Sequence, residues 1–121
     1  MNRVLIVEDD AICALNLKAL FSRAGYSVVK TVRTGKQAIH SAITDKPDFI
    51  LMDIMLSDDV DGLTASEKIR KTLDIPIVFI TASTDSSNLK RLDEQPHCGI
   101  IKKPFDSNTV VQDVQTFLNI N

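Results

Sequence analysis

The sequence has little of what zinc sites, disulfide scaffolds and nucleic-acid readers need. Its 121 residues contain two cysteines, two histidines, one tyrosine and no tryptophan. Cys13 and Cys98 lie far apart with no zinc-type partner, which is typical of small buried side chains in a reducing compartment. Lys and Arg number 14 against 16 acidic residues, for a formal charge of −2, and no basic run occurs. Because affinity for a phosphate backbone comes from clustered cations, we expect no direct nucleic-acid partner.

Long apolar runs are absent as well. None approaches the ~20 residues that span a bilayer, and acidic residues follow the apolar run 4–7 at once, unlike in a signal peptide. We therefore expect a cytoplasmic protein with no membrane partner. The length is that of one domain of roughly 100 to 150 residues. With no linker or low-complexity tract in it, the chain is predicted to form a single domain over residues 1–121, with no output domain.

Short apolar segments alternate with stretches of helical spacing. Five segments of strand length lie at 4–7, 28–32, 49–52, 77–80 and 100–101, the second and fifth being the weakest, as in edge strands. Their continuous apolar character indicates strands covered on both faces, as in a parallel sheet between helices. Helical spacing is predicted over 11–24, 35–44, 61–73 and 85–94, and after a cap at 106 or 107. Strands and helices that alternate through short connections predict a doubly wound α/β domain.

Polar residues stand at the carboxyl ends of these strands, where ligands bind in such sheets. They are Glu8, Asp9 and Asp10 after the first strand, Asp53 after the third, Thr81 after the fourth and Lys103 after the fifth. If the first and third strands are neighbours, their carboxylates converge. Converging carboxylates repel one another unless a cation lies among them, and an all-oxygen site with room for water suits Mg²⁺. A lysine and a hydroxyl beside it can bind phosphoryl oxygens, and Asp53 can accept the phosphoryl group covalently.

Five motifs follow one another along essentially the whole chain. They are Val7-Glu8-Asp9-Asp10, Asp53 after Phe49-Ile50-Leu51-Met52, Asp61-Gly62, Thr81-Ala82-Ser83 and Lys103-Pro104-Phe105. In this order they resemble the receiver domain of response regulators in two-component signalling, the CheY-like family. The resemblance implies a flavodoxin-like five-stranded parallel sheet of order 2-1-3-4-5. It also implies that a sensor histidine kinase or phosphotransfer protein phosphorylates Asp53, and that a downstream protein or output domain responds.

The resemblance assigns a role to each residue of these motifs. It implies that Mg²⁺ is held by Glu8 through water, by Asp9, by Asp53 and by the backbone carbonyl of Met55. Thr81 and Lys103 bind the phosphoryl oxygens, with movement of Thr81 as the switch, and Ala82, Ser83 and Pro104 shape the pocket. Asp10 is interpreted only as the start of a helix. Since the product is the modified protein itself, we expect a phosphoacceptor signalling domain and not an enzyme.

Two positions depart from the commonest receiver pattern. Ile100 stands three residues before Lys103, where the family usually has Tyr or Phe, and its stiff branched side chain has no ring to turn inward. The loop from Asp53 to Asp61 is also one residue longer than in the plainest receivers. Ile100 keeps a second hypothesis open, a receiver-like interaction module that is not phosphorylated. A haloacid-dehalogenase-like phosphatase is disfavoured because it needs Asp where Met55 stands, and the glycine motifs of nucleotide binders are missing.

Overall fold

Five strands and five helices alternate along the chain in a computed structural model, which describes residues 2–82, 86–96 and 99–120. The strands are β1 (Arg3–Val7), β2 (Ser27–Val32), β3 (Phe49–Asp53), β4 (Ile77–Thr81) and β5 (Gly99–Lys102). The helices are α1 (Ala11–Arg23), α2 (Gly35–Asp45), α3 (Gly62–Arg70), α4 (Ser86–Asp93) and α5 (Val110–Phe117). The predicted elements are therefore all present. Ser83 and Cys98 lie outside the described residues.

The sheet is parallel throughout and its strand order is β2-β1-β3-β4-β5. This confirms the doubly wound, flavodoxin-like fold and places β1 beside β3. The register pairs Val7 with Met52 and Thr81 with Lys102, so these strands end at one edge. The residues that follow them are thereby brought to the same side of the molecule.

The apolar strands bury side chains on both faces of the sheet, as their continuous pattern predicts. Leu5 and Ile50 belong to a core cluster with residues of α2 and α3, and Phe49 belongs to a second cluster with residues of α1 and α5. Every residue of β3 and β4 is buried, whereas β2 is largely exposed along the sheet edge. Among the described residues, no helix is long and apolar enough to cross a membrane.

Polar side chains fix where several helices begin. Oδ1 of Asp10 accepts hydrogen bonds from the backbone N–H groups of Ile12 (2.9 Å) and Cys13 (3.1 Å), which confirms Asp10 as the cap of α1.

Helix α5 begins at Val110, later than predicted. Asp106 first closes a turn, in which its backbone oxygen accepts a hydrogen bond from the Val110 N–H (3.0 Å).

Helix α3 ends earlier than its predicted limit at residue 73. The backbone N–H of Leu73 still reaches the carbonyl oxygen of Ile69 at 2.9 Å, but residues 71–72 form a turn that leads to Pro76. A proline disfavours helical backbone angles at the residue before it, so the helix ends before Pro76. The apolar spacing continued through this turn and made the predicted helix too long.

Candidate functional site at the carboxyl edge of the sheet

Three carboxylates converge where β1 and β3 end. One oxygen from each of Glu8, Asp9 and Asp53 lies within 4.8 Å of the others. Glu8 and Asp53 are only 2% and 5% exposed, whereas Asp9 is half-buried. Two buried acids and a partly exposed third therefore face a space that opens to solvent.

Lys103 follows the edge strand β5 and brings a positive charge to this cluster. Its Nζ donates a hydrogen bond to the carboxylate of Glu8 and another to Oδ2 of Asp53 at 2.9 Å. The backbone of Lys103 is held in place because its N–H donates to the carbonyl oxygen of Thr81 at 2.9 Å, and the peptide bond to Pro104 is cis. The cluster therefore contains three carboxyl groups and one ammonium, so the acidic groups are in excess.

Burial and mutual repulsion act unequally on the members of the cluster. Burial, followed by the hydrogen bond and charge of Glu8, raises the pKa of Asp53 to about 6. Burial also opposes ionisation of Glu8, but hydrogen bonds with Asp53 and Lys103 outweigh it and lower the pKa of Glu8. The two carboxylates raise the pKa of Lys103 despite its burial. Asp53 is thus the acid whose ionised form is least stabilised, which favours a further cation beside it.

The remaining predicted residues lie around this cluster. Thr81 ends β4 and is buried, with 3% of its surface exposed. Ala82 and Pro104 line a groove with Lys103, and Met55 is 60% exposed beyond the end of β3. Ile100 is half-buried and packs against the core cluster that contains Phe79.

Cys13 takes part in the site in a way that the sequence did not indicate. It was predicted to be a small buried side chain, but it is half-buried and lines a groove together with Lys103. Burial and the neighbouring Glu8 raise the pKa of Cys13 to about 12, so the thiol stays neutral. The one available signal was its position in the first turn of α1, just after the acidic residues.

A second long-range contact joins α3 to α4. Asp61 caps α3 by accepting a hydrogen bond from the Thr64 N–H at 2.8 Å. The guanidinium of Arg91 donates to both oxygens of Asp61, at 2.8 and 3.3 Å, and to the hydroxyl of Thr64 at 3.3 Å. Although burial opposes it, the Arg91 guanidinium lowers the pKa of Asp61. The cap of α3, eight residues after Asp53, is therefore tied to α4.

Comparison with known proteins identifies the family. The profile of the response regulator receiver domain matches residues 4–115, and the chain belongs to this family of two-component signalling modules. Over 108 residues it is 40% identical to the phyllosphere-induced regulator PhyR of Methylorubrum extorquens, an alignment that covers 88% of this chain and 40% of PhyR. The resemblance found in the sequence is confirmed.

Solved structures agree with this assignment. The signal receiver domain of a modulated diguanylate cyclase from Desulfovibrio desulfuricans superimposes with a TM-score of 0.89 at 29% identity, over 98% of this chain and 94% of that one. The receiver domain of PhyR from Erythrobacter litoralis gives a TM-score of 0.84 at 31% identity, over 98% of this chain and 90% of that one. The chain spans about half the length of the curated relatives it matches.

Proposed function

We propose that this chain is a phosphoacceptor receiver, in which Asp53 takes a phosphoryl group from a phosphohistidine of a sensor histidine kinase or phosphotransfer protein. The observation that carries the proposal is the convergence of Glu8, Asp9 and Asp53 within 4.8 Å, with Nζ of Lys103 at 2.9 Å from Asp53. This arrangement offers a carboxylate nucleophile, oxygen donors for a metal ion and a cation for phosphoryl oxygens. In this proposal the modified protein is the product, and the domain acts as a signalling module.

The donor set at the sheet edge fits Mg²⁺. Its ligands would be oxygens only, which Mg²⁺ prefers, and the half-buried Asp9 leaves room for the waters that this ion retains. The ion would be held by Asp9, Asp53 and the backbone carbonyl of Met55, with Glu8 acting through water. When bound, Mg²⁺ neutralises negative charge on the transferring group and on the acids around it.

Three residues have different roles in the phosphoryl transfer. An oxygen of Asp53 forms a bond to phosphorus while the bond from phosphorus to the histidine nitrogen breaks, and the electron pair stays on that nitrogen. Lys103 moves from carboxylate to phosphoryl oxygens, where its charge offsets what the new group brings. Thr81, at the neighbouring strand end, places its hydroxyl on the same oxygens, and this movement changes the surface around β4. The phosphoryl group adds a charge of about −1.5 to −2 at the carboxyl edge of the sheet, and this added charge drives the conformational change.

The surface near Lys103 offers apolar side chains to a phosphodonor protein. On α1, Ile12 and Leu15 are 81% and 68% exposed, which is unusual for large apolar side chains. A groove of about 470 Å³ runs from Ile12 past Lys103 to Phe105. An apolar patch of a partner bound against α1 would lie next to the carboxyl edge of the sheet, and this supports the kinase or phosphotransfer partner.

The second candidate is a receiver-like interaction module that is not phosphorylated. Ile100 favours it, since a half-buried branched side chain offers no ring to turn inward when Thr81 moves. If phosphorylation occurs, the signal must leave by another route, such as the segment 82–99 that contains α4.

Labelling with acetyl phosphate separates the two candidates. Intact-mass spectra should show one added phosphoryl group on the wild type with Mg²⁺ and none with EDTA. Asp53→Asn should stay unmodified, whereas Asp59→Asn should label normally because Asp59 is an exposed residue outside the cluster. An unmodified wild type in the presence of Mg²⁺ would refute the phosphoacceptor function and leave the interaction module.

A further inference from the structure

The loop between β3 and α3 is held against another helix by a side chain that has no part in the site described so far. Oδ1 of Asp58 accepts a hydrogen bond from the Gly35 N–H at 2.9 Å, and Oδ2 accepts one from the Lys36 N–H at 3.1 Å. Although desolvation opposes it, these N–H groups lower the pKa of Asp58. Both carboxylate oxygens are therefore committed to the first turn of α2.

Helix α2 does not depend on Asp58 for its cap. Its own Thr34 accepts a hydrogen bond from the Gln37 N–H at 3.0 Å, so Asp58 takes N–H groups that Thr34 leaves unused. Gly35 makes the approach possible, because a methyl group there would overlap the carbonyl oxygen of Val60. The contact thus fixes the loop to the helix more than it builds the helix.

The other side of the loop is fixed to β3 itself. The Gly62 N–H donates to the carbonyl oxygen of Ile54 at 2.8 Å, and the Ile54 side chain is fully buried. A methyl group on Gly62 would overlap the carbonyl oxygen of Asp53, so the start of α3 lies against the backbone of the proposed phosphoacceptor.

A further backbone hydrogen bond lies next to Asp58. The Ser57 N–H donates to the carbonyl oxygen of Arg33 at 3.4 Å. Between the anchors at Ile54 and Ser57, only Met55 and Leu56 remain. The Met55 N–H itself donates a hydrogen bond to Oδ1 of Asp53 at 3.3 Å. The Met55 backbone is therefore held by this bond on one side and by the anchor at Ser57 on the other.

We propose that Asp58 is a positioning residue for the metal site: by anchoring the loop to α2, it would hold in place the peptide whose carbonyl, that of Met55, is a proposed Mg²⁺ ligand. The inference rests on the proposed function, which makes that carbonyl a ligand. Mg²⁺ tolerates little departure from octahedral geometry, so a ligand on a loosened peptide binds it less well. Residues that orient metal ligands typically change affinity by about 10- to 100-fold when removed. Asp58 acts through three intervening peptide bonds, and we expect about fivefold or more.

Calorimetric titration of the whole chain with MgCl₂ tests the proposal. Asp58→Ala should weaken Mg²⁺ binding by about fivefold or more. Asp58→Asn retains one acceptor oxygen, so its affinity for Mg²⁺ should lie between those of Asp58→Ala and the wild type. Thr34→Ala is the matched control, because it removes a cap from the same helix without touching the loop, and Asp59→Ala changes the exposed neighbour. Both controls should keep the wild-type affinity. Urea unfolding of each variant should show folded protein at the temperature of the titration.

The possible outcomes separate this inference from the proposed function. If the wild type binds Mg²⁺ and Asp58→Ala binds it equally well, the positioning role is refuted and the proposed function stands. If Asp58→Ala and Thr34→Ala weaken Mg²⁺ binding equally, the positioning role is also refuted, because the loss would then come from destabilising α2 and not from freeing the loop. If the wild type does not bind Mg²⁺, both proposals fail together.

Discussion

Replacing Asp53 by asparagine should make the metal-free protein more stable at neutral pH, although it removes the proposed phosphoacceptor. Burial and Glu8 raise the pKa of Asp53 from an ordinary 3.8 to about 6. At about 1.4 kcal/mol for each tenfold change in the ionisation constant, ionised Asp53 costs the folded state about 3 kcal/mol. An asparagine removes that cost and can still accept the hydrogen bond from Lys103. We expect the free energy of unfolding to rise by about 1 to 3 kcal/mol.

The pH dependence of this gain tests its cause. An acid whose pKa is higher in the folded state holds its proton more tightly there, so the cost is absent below pH 3.8 and complete above about pH 6. Urea unfolding of wild type and Asp53→Asn at pH 7.5 and pH 4, without Mg²⁺, should show the gain at the higher pH alone. At pH 7.5, Mg²⁺ should reduce the difference in free energy of unfolding between Asp53→Asn and the wild type, because the ion stabilises the wild type. A variant that is less stable than the wild type at both pH values would refute the reasoning.

Three further substitutions test other contacts of the structure. Lys103→Met removes the ammonium from two buried carboxylates, and we expect urea unfolding at pH 7 to show a loss of about 3 kcal/mol. Arg91→Met breaks the partly exposed pair with Asp61, for a loss of about 0.5 to 1 kcal/mol. Because Arg91 lowers the pKa of Asp61, this loss should be present above pH 3.8, the ordinary pKa of an aspartate, and should disappear as the pH falls through the folded pKa. Gly99→Ala forces a methyl group into the ring of Phe117 and should cost about 1 to 3 kcal/mol.

Matched changes show whether these losses come from the named contacts. Lys102→Met and Lys90→Met remove exposed lysines beside the first two sites and should leave stability within about 0.5 kcal/mol. A comparable loss in either would mean that the ion pair is not the cause. The cost of Gly99→Ala should largely vanish in a Phe117→Ala background, and additive losses would contradict the steric explanation.

The fold was predictable because its signals are local and repeated. The segments 4–7, 49–52 and 77–80 are continuously apolar, and the structure buries them between two layers of helices. Asp10 stood one residue before an amphipathic stretch and caps α1 as expected. Helix limits were less accurate, since apolar spacing does not distinguish a last helical turn from the turn at 71–72 that leads to Pro76.

The strand-end residues were predictable as a set, but their environment was not. Glu8 and Lys103 are 95 positions apart, and the strand order alone brings them to one edge. That Asp53 has a raised pKa depends on how deeply both acids are buried, which no sequence pattern records. The contact of Asp58 with α2 likewise joins a loop to a remote helix, and side-chain contacts of this kind have no periodicity.

The most direct test of the central claim is to locate the phosphoryl group on the chain. After labelling with acetyl phosphate and Mg²⁺, borohydride reduction converts a phosphorylated aspartate to homoserine, which peptide mass spectrometry can place. We expect homoserine at position 53 in the Mg²⁺ sample and none in the EDTA sample. Homoserine at another aspartate, or at none, would contradict it.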